Sequence, residues 1–455
     1  MTKVLPAISE PVISVIVPTR NAPPTLGRTL AHLVNQTLSP RQYEVIVATG
    51  GSADEVWRRA TASLRDPAEA PFALRDWSRP GQGAARRRNA GAASARGDLL
   101  VFLDDDMAAD HGLLQAHLLA HAGQTAEYVV MGYLPPRLCK YWHRRPMTWV
   151  EVDLRDWWED TFRAMARPGH RFRYTDLLSG NFSLPKALFT RVGGFNADLF
   201  CREDYELGAR LLAAGGVFAL SLAARSEHLD ATNLERSLQR KAAEGRADIQ
   251  VARLHPDLGS TMAFAKAGEY MSQGSHWLLA LARRYPALAD FGVHLLVVAL
   301  GLLEHLGLHA LWTRLNGGLQ LHHYWRGVLG EAQNWDEVRG LAAAVPAGSE
   351  AVIDLAQGVA AAQNELARLQ PQGARFTWHG LPLGRIPVEA GAEPLGSRHL
   401  RAWMAEEGAL CTAQAEALFD VLGASEAAAA VAACPTLALR PDLCTLVRSR
   451  ELQEL

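Results

Sequence analysis

Three consecutive aspartates, Asp104-Asp105-Asp106, follow the apolar run Leu99 to Leu103. Like charges at this spacing repel strongly at the low-dielectric edge of a sheet, so the triplet must either stay solvated or meet a cation. Side chains alternate in direction along a strand, which places Asp104 and Asp106 on one side and lets them share a divalent metal ion. For an isolated acidic triplet, a solvated turn or a helix N-cap is an equal alternative.

A second pair of carboxylates, Glu203-Asp204, comes just before a predicted helix. A carboxylate can remove a proton from a hydroxyl group, and a neighbouring negative charge favours uptake of that proton. The alternative is that these acids only complement the helix dipole at its N-terminus, which is all that we expect of Glu206.

Two basic residue types complete the candidate chemistry. Arg88 ends the triplet Arg86-Arg87-Arg88, and a planar guanidinium suits phosphate oxygens because it donates two parallel hydrogen bonds. Arg86 and Arg87 are expected on a solvated helix face. His228 offers a neutral imidazole, which is a reasonable ligand for Mn²⁺ and a poorer one for Mg²⁺, although a lone histidine is more often structural.

The elements that must position these residues form an α/β pattern. Through about residue 230, short β-branched runs alternate with amphipathic stretches, which predicts a mainly parallel sheet flanked by helices. We predict strands at 12–17, 43–48, 72–77 and 99–103. Ligands of open α/β sheets collect at the carboxyl ends of the strands. The turn at 18–21, the loop at 48–54 and the acidic triplet all lie on that edge.

The rest of the chain predicts two further segments, so that we expect domains at 1–235, 236–335 and 336–455. The middle segment is helical, and its apolar run 291–312 is interrupted by four polar residues, which favours a buried or interfacial helix over a membrane span. Its aromatic residues and arginines fit a platform on a bilayer or an ordinary helical subdomain or dimer surface equally well. The last segment predicts a small α/β or α+β accessory domain of open role, with strands at 351–355 and 375–378.

Composition excludes several classes of protein. The formal net charge is −2 and long basic faces are absent, which argues against a nucleic-acid partner. The five cysteines are scattered and form no C-x-x-C pair, so we expect neither a disulfide framework nor a zinc knuckle. The N-terminus has no signal-peptide pattern. These features predict a cytoplasmic protein. The alternative is a peripheral position at the inner face of the plasma membrane.

Residues 11–235 resemble the family 2 inverting glycosyltransferases, which have a GT-A fold. The resemblance rests on the order and spacing of several short motifs. These are Val15-Ile16-Val17-Pro18-Thr19-Arg20-Asn21, Arg88-Asn89-Ala90-Gly91, Gly97-Asp98, the acidic triplet, Ser179-Gly180-Asn181-Phe182, Gly193-Gly194-Phe195 and Glu203-Asp204-Tyr205-Glu206-Leu207.

The resemblance implies a metal-dependent sugar transfer from a nucleoside-diphosphate sugar, of UDP or dTDP type, to a glycan or lipid-linked acceptor, as in cell-surface glycan or glycolipid synthesis. It implies a role for each matching position. The donor would contact Pro18, Thr19, Arg20, Asn21, Thr49, Arg88, Asp104 and Asp105. Mn²⁺ or Mg²⁺ would bind Asp104, Asp106 and His228, the acceptor would contact Gly180, Asn181 and Glu203, and Asp204 would be the catalytic base.

One position departs from the family pattern. Thr49 stands where relatives carry an aspartate that reads the base, so Asp54 or the Thr49 hydroxyl would have to replace it. Two other functions stay open: a metal-dependent nucleotidyltransferase, and a degenerate transferase that acts as a binding or scaffold protein. The loop Pro18-Thr19-Arg20-Asn21 lacks the glycine-rich, basic signature usual in nucleotidyl transfer, which favours the glycosyltransferase.

Overall fold

The structure is a computed structural model and describes residues 11–20, 23–49, 73–78, 83–135, 147–229, 232–270, 284–344 and 348–405. The strands are β1 (Ile13–Thr19), β2 (Tyr43–Thr49), β3 (Ala73–Ser78), β4 (Leu99–Leu103), β5 (Met107–Ala109), β6 (Tyr128–Tyr133), β7 (Asn181–Pro185), β8 (Val217–His228), β9 (Glu350–Asp354), β10 (Gly373–Trp378) and β11 (Leu381–Ile386). The helices are α1 (Pro24–Val34), α2 (Ala84–Ser94), α3 (Leu113–His121), α4 (Trp149–Met165), α5 (Lys186–Arg191), α6 (Glu203–Ala213), α7 (Leu234–Leu254), α8 (Ala263–Tyr270), α9 (Pro286–His305), α10 (His309–Glu331), α11 (Trp335–Ala342), α12 (Val359–Leu369) and α13 (Ser397–Trp403).

Eight strands form the main sheet in the order β3-β2-β1-β4-β7-β6-β8-β5. The strands β3, β2, β1 and β4 are parallel to one another, whereas β7 is antiparallel to both β4 and β6. The sheet is therefore mixed: its first half is parallel, as expected, and β6 and β8 are again parallel, whereas β7 and β5 are antiparallel to their neighbours. The four predicted strands of that half are present, and β4 has the predicted bounds because a fully buried apolar run continues to the first aspartate.

Two glycines let α2 and the start of β4 approach β1 closely. A side chain at Gly91 would lie 2.7 Å from Cγ2 of Ile16, and one at Gly97 would lie 2.7 Å from the backbone carbon of Ile13. Real Cβ atoms do not approach other atoms this closely, so only glycine fits at both positions. The Gly91 contact places α2, which carries Arg88, against β1, and the Gly97 contact places the start of β4 against the same strand.

The helices α7 and α10 pack closely through a reciprocal pair of glycines. A side chain at Gly245 would meet the carbonyl oxygen of Tyr324 at 2.1 Å, and one at Gly327 would meet that of Ala242 at 2.0 Å. The predicted helical segment is thus present, and Gly307, at φ +71°, breaks its apolar run between α9 and α10.

The described residues divide into two compact units, one of 11–164 and 173–344 and one of 165–172 and 345–405. The second unit contains a three-stranded sheet in the order β11-β10-β9, with β9 and β10 parallel and α12 between them in the chain. Its core includes Ile353, Leu366, Phe376 and Leu400. The predicted small α/β unit is present, whereas the predicted boundaries at 235 and 335 stay a prediction.

Candidate active site

The carboxyl ends of the parallel strands meet at one edge, as expected. Thr19 at the end of β1 is the register partner of Thr49 at the end of β2, and β1 pairs on its other side with β4, which leads into Asp104. Thr19 and Thr49 are buried, and Arg20 is exposed. The residues predicted to bind the donor therefore lie on neighbouring strands, with Pro18 buried in β1. Asn21 and the loop 50–54 lie outside the described residues.

Arg88 joins the two acidic groups that the sequence singles out. Its guanidinium donates to Oδ1 of Asp104 at 2.7 Å and to Oε1 of Glu203 at 2.9 Å, and only 5% of its side chain is exposed. Burial by itself would lower the pKa of Arg88, but Asp104 and Glu203 raise it above its ordinary value. The arginine is therefore a permanent buried cation between the end of β4 and the start of α6.

A side-chain clip holds the loop that passes beneath Arg88. The amide of Asn89 donates to the carbonyl oxygen of Phe195 at 2.7 Å and accepts from its N–H at 2.8 Å. Gly194 next to this clip has φ +69°, and its backbone lies so close to Asn89 that a side chain would not fit. The guanidinium carbon of Arg88 lies 5.3 Å from the centre of the Phe195 ring, which adds a cation–π contact.

Asp106 and His228 form the second pair at this edge. The short ladder between β5 and β8 places His228 opposite Met107, and the N–H of Leu229 donates to the carbonyl oxygen of Asp106 at 2.8 Å. The side chains then meet, with Nε2 of His228 3.2 Å from Oδ2 of Asp106. Burial would raise the pKa of Asp106, but His228 holds it below its ordinary value.

The donor atoms at this pair fit a divalent cation. Oδ1 of Asp106 is buried and has no hydrogen-bond partner among the described residues, which leaves a carboxylate oxygen ready for a metal. One carboxylate and one imidazole suit Mn²⁺ better than Mg²⁺. Across the described residues, no three His, Cys, Asp or Glu side chains converge on one point. Of the three predicted ligands, the structure thus brings together Asp106 and His228, while Asp104 pairs with Arg88.

The remaining carboxylates differ in their surroundings. Burial raises the pKa of Asp105 to about 6. The negative charges of the neighbouring aspartates add to this rise, and a hydrogen bond with the Thr19 hydroxyl opposes it. Burial also raises the pKa of Glu203, which the charge of Arg88 opposes. Asp204 accepts from the N–H of Tyr205 at 2.9 Å and from that of Ser179 at 3.4 Å. Two backbone donors therefore orient the side chain predicted to be the base.

Residues 14–190 match the family model described as Glycosyl transferase family 2. This segment is therefore similar to glycosyl transferase family 2. The predicted resemblance is thereby confirmed, and the GT-A type α/β class agrees with the architecture described above. The match includes Arg88 and the acidic triplet, whereas Glu203, Asp204 and His228 lie beyond it.

Curated relatives carry the same type of name. The chain is 35% identical over 223 residues to validoxylamine A glucosyltransferase of Streptomyces hygroscopicus subsp. limoneus, which covers 45% of this chain and 49% of that relative. It is 35% identical over 133 residues to the uncharacterized glycosyltransferase YfnE of Bacillus subtilis, with 29% of this chain and 32% of the relative covered. The chain therefore spans about half the length, or less, of these relatives.

A solved structure with a similar fold is the mannosyltransferase PcManGT from Pyrobaculum calidifontis in complex with GDP-Man and Mn²⁺. It is 17% identical, with a TM-score of 0.46, over 71% of this chain and 88% of its own.

Gly180 and Asn181, the two residues of the 14–190 segment that are predicted to contact the acceptor, have different surroundings. The carbonyl oxygen of Gly180 accepts from the N–H of Asp104 at 3.2 Å, and a side chain there would meet that aspartate at 3.3 Å. Asn181 is fully buried and accepts from Nε2 of His117 at 2.9 Å while donating to the carbonyl oxygen of Ala224. Contact of Asn181 with an acceptor would require opening this network, and it stays a prediction.

The tryptophans predicted on the acceptor side belong to α4. The ring of Trp158 packs edge-on against His228, with centres 5.8 Å apart, and Trp157 beside it is 46% exposed. Helix α4 thus lies next to the Asp106–His228 pair. The residues 136–146, which include Trp142, lie outside the described part of the chain.

A buried ionic cluster that was not predicted lies two residues before the candidate base. Arg202 has φ +61°, and its guanidinium lies 3.4 Å from Oε2 of Glu244 and 3.3 Å from Oδ1 of Asp248. The hydroxyl of Tyr324 on α10 donates to Asp248 at 2.6 Å. The signal in the sequence was the pair of acids four residues apart on one face of α7, beside Gly245.

Proposed function

We propose that the protein is an inverting glycosyltransferase that moves a sugar from a nucleoside-diphosphate sugar to a hydroxyl acceptor. The observation that carries the proposal is the Arg88 bridge, which places Asp104 at the end of β4 next to Glu203 and hence beside Asp204. A donor-side acid cluster and a candidate base thus belong to one site. The family match of 14–190 supports the same reaction.

The reaction follows from the roles of these side chains. The acceptor oxygen attacks the anomeric carbon from the face opposite the diphosphate, so the carbon–oxygen bond to the diphosphate breaks as the new glycosidic bond forms. Asp204 takes the proton of the acceptor hydroxyl. Its two backbone donors restrict the carboxylate to one orientation, which favours proton transfer along a fixed line.

The departing nucleoside diphosphate carries the developing negative charge. Arg88 supplies a buried positive charge at the base of the site. Asp106 and His228 are the residues that would hold a divalent cation, Mn²⁺ in preference to Mg²⁺. When bound, such a cation supplies charge neutralisation to the leaving diphosphate.

For the substrates, we propose a hexose donor with a UDP or dTDP nucleotide and a glycan or lipid-linked acceptor. Two relatives are named for glucosyl transfer to validoxylamine A, so glucose is the first sugar to test. Validoxylamine A, which stands in the names of both relatives, is the first acceptor to test. Because Thr49 replaces the expected aspartate, the donors to be tested include more than one base.

The deciding experiment incubates the protein with UDP-, dTDP- and GDP-hexoses, with and without Mn²⁺, and identifies the nucleotide released. We expect a nucleoside diphosphate and, with an acceptor, a product of inverted anomeric configuration by NMR. Release of nucleoside monophosphate or pyrophosphate would indicate nucleotidyl transfer instead. Absence of turnover despite donor binding by calorimetry would favour a binding protein.

The candidate base is tested by Asp204→Asn. The substitution keeps the shape of the side chain but removes its basicity, so we expect a loss of kcat of about 10²- to 10⁴-fold with unchanged donor Kd. The control is Asp198→Asn, at a side chain that is 87% exposed in the loop before α6, which should leave kcat unchanged. Equal activity of both variants would remove Asp204 from the mechanism.

A further inference from the structure

Helix α9 exposes an apolar stripe along its whole length. Leu288, Phe291, Leu295, Val298 and Leu302 recur at three- and four-residue spacing, and each is 52–62% exposed. The stripe continues past the turn at Gly307 into Leu308 and Leu311, which are each 48% exposed. Of the residues in the most apolar window of α9, where mean hydropathy is 1.8, only 6% are buried. A core helix of a soluble domain would be mostly buried.

The opposite face of α9 is packed and anchored. Leu300 and Leu303 join Val150, Trp312 and Leu319 in one buried cluster. On the same face, the carboxylate of Glu304 accepts from the N–H of Trp149 at 2.7 Å. Crossing a membrane would separate α9 from these partners, so the structure favours a helix that lies along a surface.

The two acids near the stripe have partners within the chain, whereas the arginines at its ends are exposed. Between residues 284 and 315 the acids are Asp290 and Glu304. Asp290 is paired with Arg326 at 2.6 Å and Glu304 faces α4. Arg284 and Arg314, at the two ends of the stripe, are exposed, and Tyr285 beside Arg284 is 53% exposed. Cations and an aromatic ring at the ends of an apolar stripe complement the headgroups of anionic lipids.

We propose that α9 and the first turn of α10 lie flat on an anionic lipid bilayer, with the stripe in the boundary between headgroups and acyl chains. The helix of 20 residues is about 30 Å long, so it offers a contact line along a leaflet rather than a single anchor point. The site of sugar transfer would then work next to lipid. This inference does not depend on the proposed reaction, because it concerns a different surface of the same unit.

A second copy of the chain is the competing occupant. Two such stripes facing each other would bring Arg284 and Arg314 of both copies into one interface, and neither acid of the segment is available to pair with them. Interfaces between protein chains normally have a polar rim that satisfies such charges. A bilayer containing anionic lipid satisfies them instead, which is why we favour it.

The test is flotation of the full chain with vesicles of phosphatidylcholine alone or mixed with phosphatidylglycerol. We expect the protein to float with the mixed vesicles. Phe291→Gln, Leu295→Gln and Leu302→Gln combined should reduce the floating fraction by about tenfold or more, since three exposed apolar side chains lose their favourable transfer. The control combines Leu119→Gln, Leu222→Gln and Leu254→Gln, at positions 52–64% exposed elsewhere, and should float like the wild type.

Two further measurements keep the outcomes distinct. The double variant Arg284→Glu, Arg314→Glu should weaken binding to the mixed vesicles only. It leaves the apolar stripe intact, so it still tests the proposal if circular dichroism shows that the triple variant does not fold. Light scattering without lipid reports a dimer. The proposal would be overturned by a wild type that does not float, or by one that floats no better than the triple variant and the double arginine variant. A dimer that does not float, and that the triple variant converts to monomers, would also overturn it.

Discussion

At the scale of single residues, Arg88 is the most consequential side chain of the site. It holds two carboxylates that are 115 and 16 residues away in the chain, and both are more buried than ordinary surface acids. Lysine could not reach both, because only the guanidinium presents donors in a planar fork. Arg88 therefore joins Asp104, an acid predicted to contact the donor, to Glu203, an acid predicted to contact the acceptor.

Removing the Arg88 cation should cost stability as well as activity. Arg88→Met leaves Asp104 and Glu203 without their partner, and we expect a loss of about 2–4 kcal/mol in the free energy of unfolding, measured in urea. The matched control is Arg86→Met, whose partner Asp198 is 87% exposed and where we expect less than about 1 kcal/mol. Equal losses would show that the bridge adds nothing beyond a surface pair.

At the scale of elements, α7 and α10 position the start of α6. Arg202, the N-cap residue of α6, has a left-handed backbone that costs a non-glycine residue about 1–2 kcal/mol. Its ion pairs with Glu244 and Asp248 hold that conformation, and the close glycine contacts fix the two helices. The helical segment therefore helps to position Glu203 and Asp204.

Arg202→Gly tests the ion pairs of Arg202 without changing its left-handed backbone conformation. Glycine adopts the same φ without strain but cannot bind α7, so we expect kcat to fall by about tenfold or more with little change in donor Kd. Asp248→Asn, which keeps Arg202 and the side-chain shape, should give a smaller fall in the same direction. If thermal stability falls in both variants while kcat is unchanged, the cluster serves folding alone.

The contact between α3 and β7 predicts how stability depends on pH. Burial lowers the pKa of His117 and of His121 to about 4, and both rings bond the hydroxyl of Ser183. Both histidines bind protons more readily when unfolded, where the pKa is about 6.5. Stability is therefore highest above pH 6.5 and falls between pH 6.5 and 4, by up to about 1.4 kcal/mol per pH unit for each histidine.

Urea unfolding at several pH values measures this slope. Burial also lowers the pKa of His323, to about 4, and that of His322, so these histidines add to the same slope. His117→Gln should therefore make the dependence between pH 6.5 and 4 shallower by the share of one histidine, up to about 1.4 kcal/mol per pH unit. A histidine that is exposed elsewhere, such as His294, provides the control, since His294→Gln should leave the slope unchanged. An unaltered slope in His117→Gln would mean that other groups cause the acid lability.

The success of prediction differed between local and distant features. The runs that form β1, β2 and β4 are apolar and β-branched over their whole length, so they could be recognised from short stretches of sequence. The antiparallel pairing of β4 with β7 depends on residues about 80 positions apart. The pairing of Arg88 with Glu203 and the left-handed Arg202 likewise arise only when distant segments meet.

At the scale of the whole molecule, the second unit includes a short segment from the middle of the chain. The guanidinium of Arg171 donates to the carbonyl oxygens of Gln372, Pro387 and Glu393 at 2.6–3.0 Å. The N–H of Phe172 donates to the side chain of Glu393 at 2.7 Å. No local pattern in 165–172 indicates such distant partners, which explains why the sequence predicts an uninterrupted C-terminal domain.

Arg171→Met tests the importance of this segment for its unit. Three backbone carbonyls lose a charged donor, so we expect the second unit to be destabilised by about 2–4 kcal/mol. Limited proteolysis should then cleave after residue 345 sooner than in the wild type, while the family 2 segment resists as before. Arg167→Met, at an exposed position of the same segment, is the control, and equal cleavage of both variants would contradict the prediction.

The discontinuous second unit also sets an order for folding during synthesis. Arg171 leaves the ribosome long before Glu393, its partner 222 residues later. At 5–20 residues per second, the segment waits roughly 10–45 s for its partners. The eight-stranded sheet can be completed in that time, because β8 ends at residue 228. A nascent chain stalled before residue 345 should therefore bind nucleotide sugar while 165–172 is still open to a chaperone or a protease.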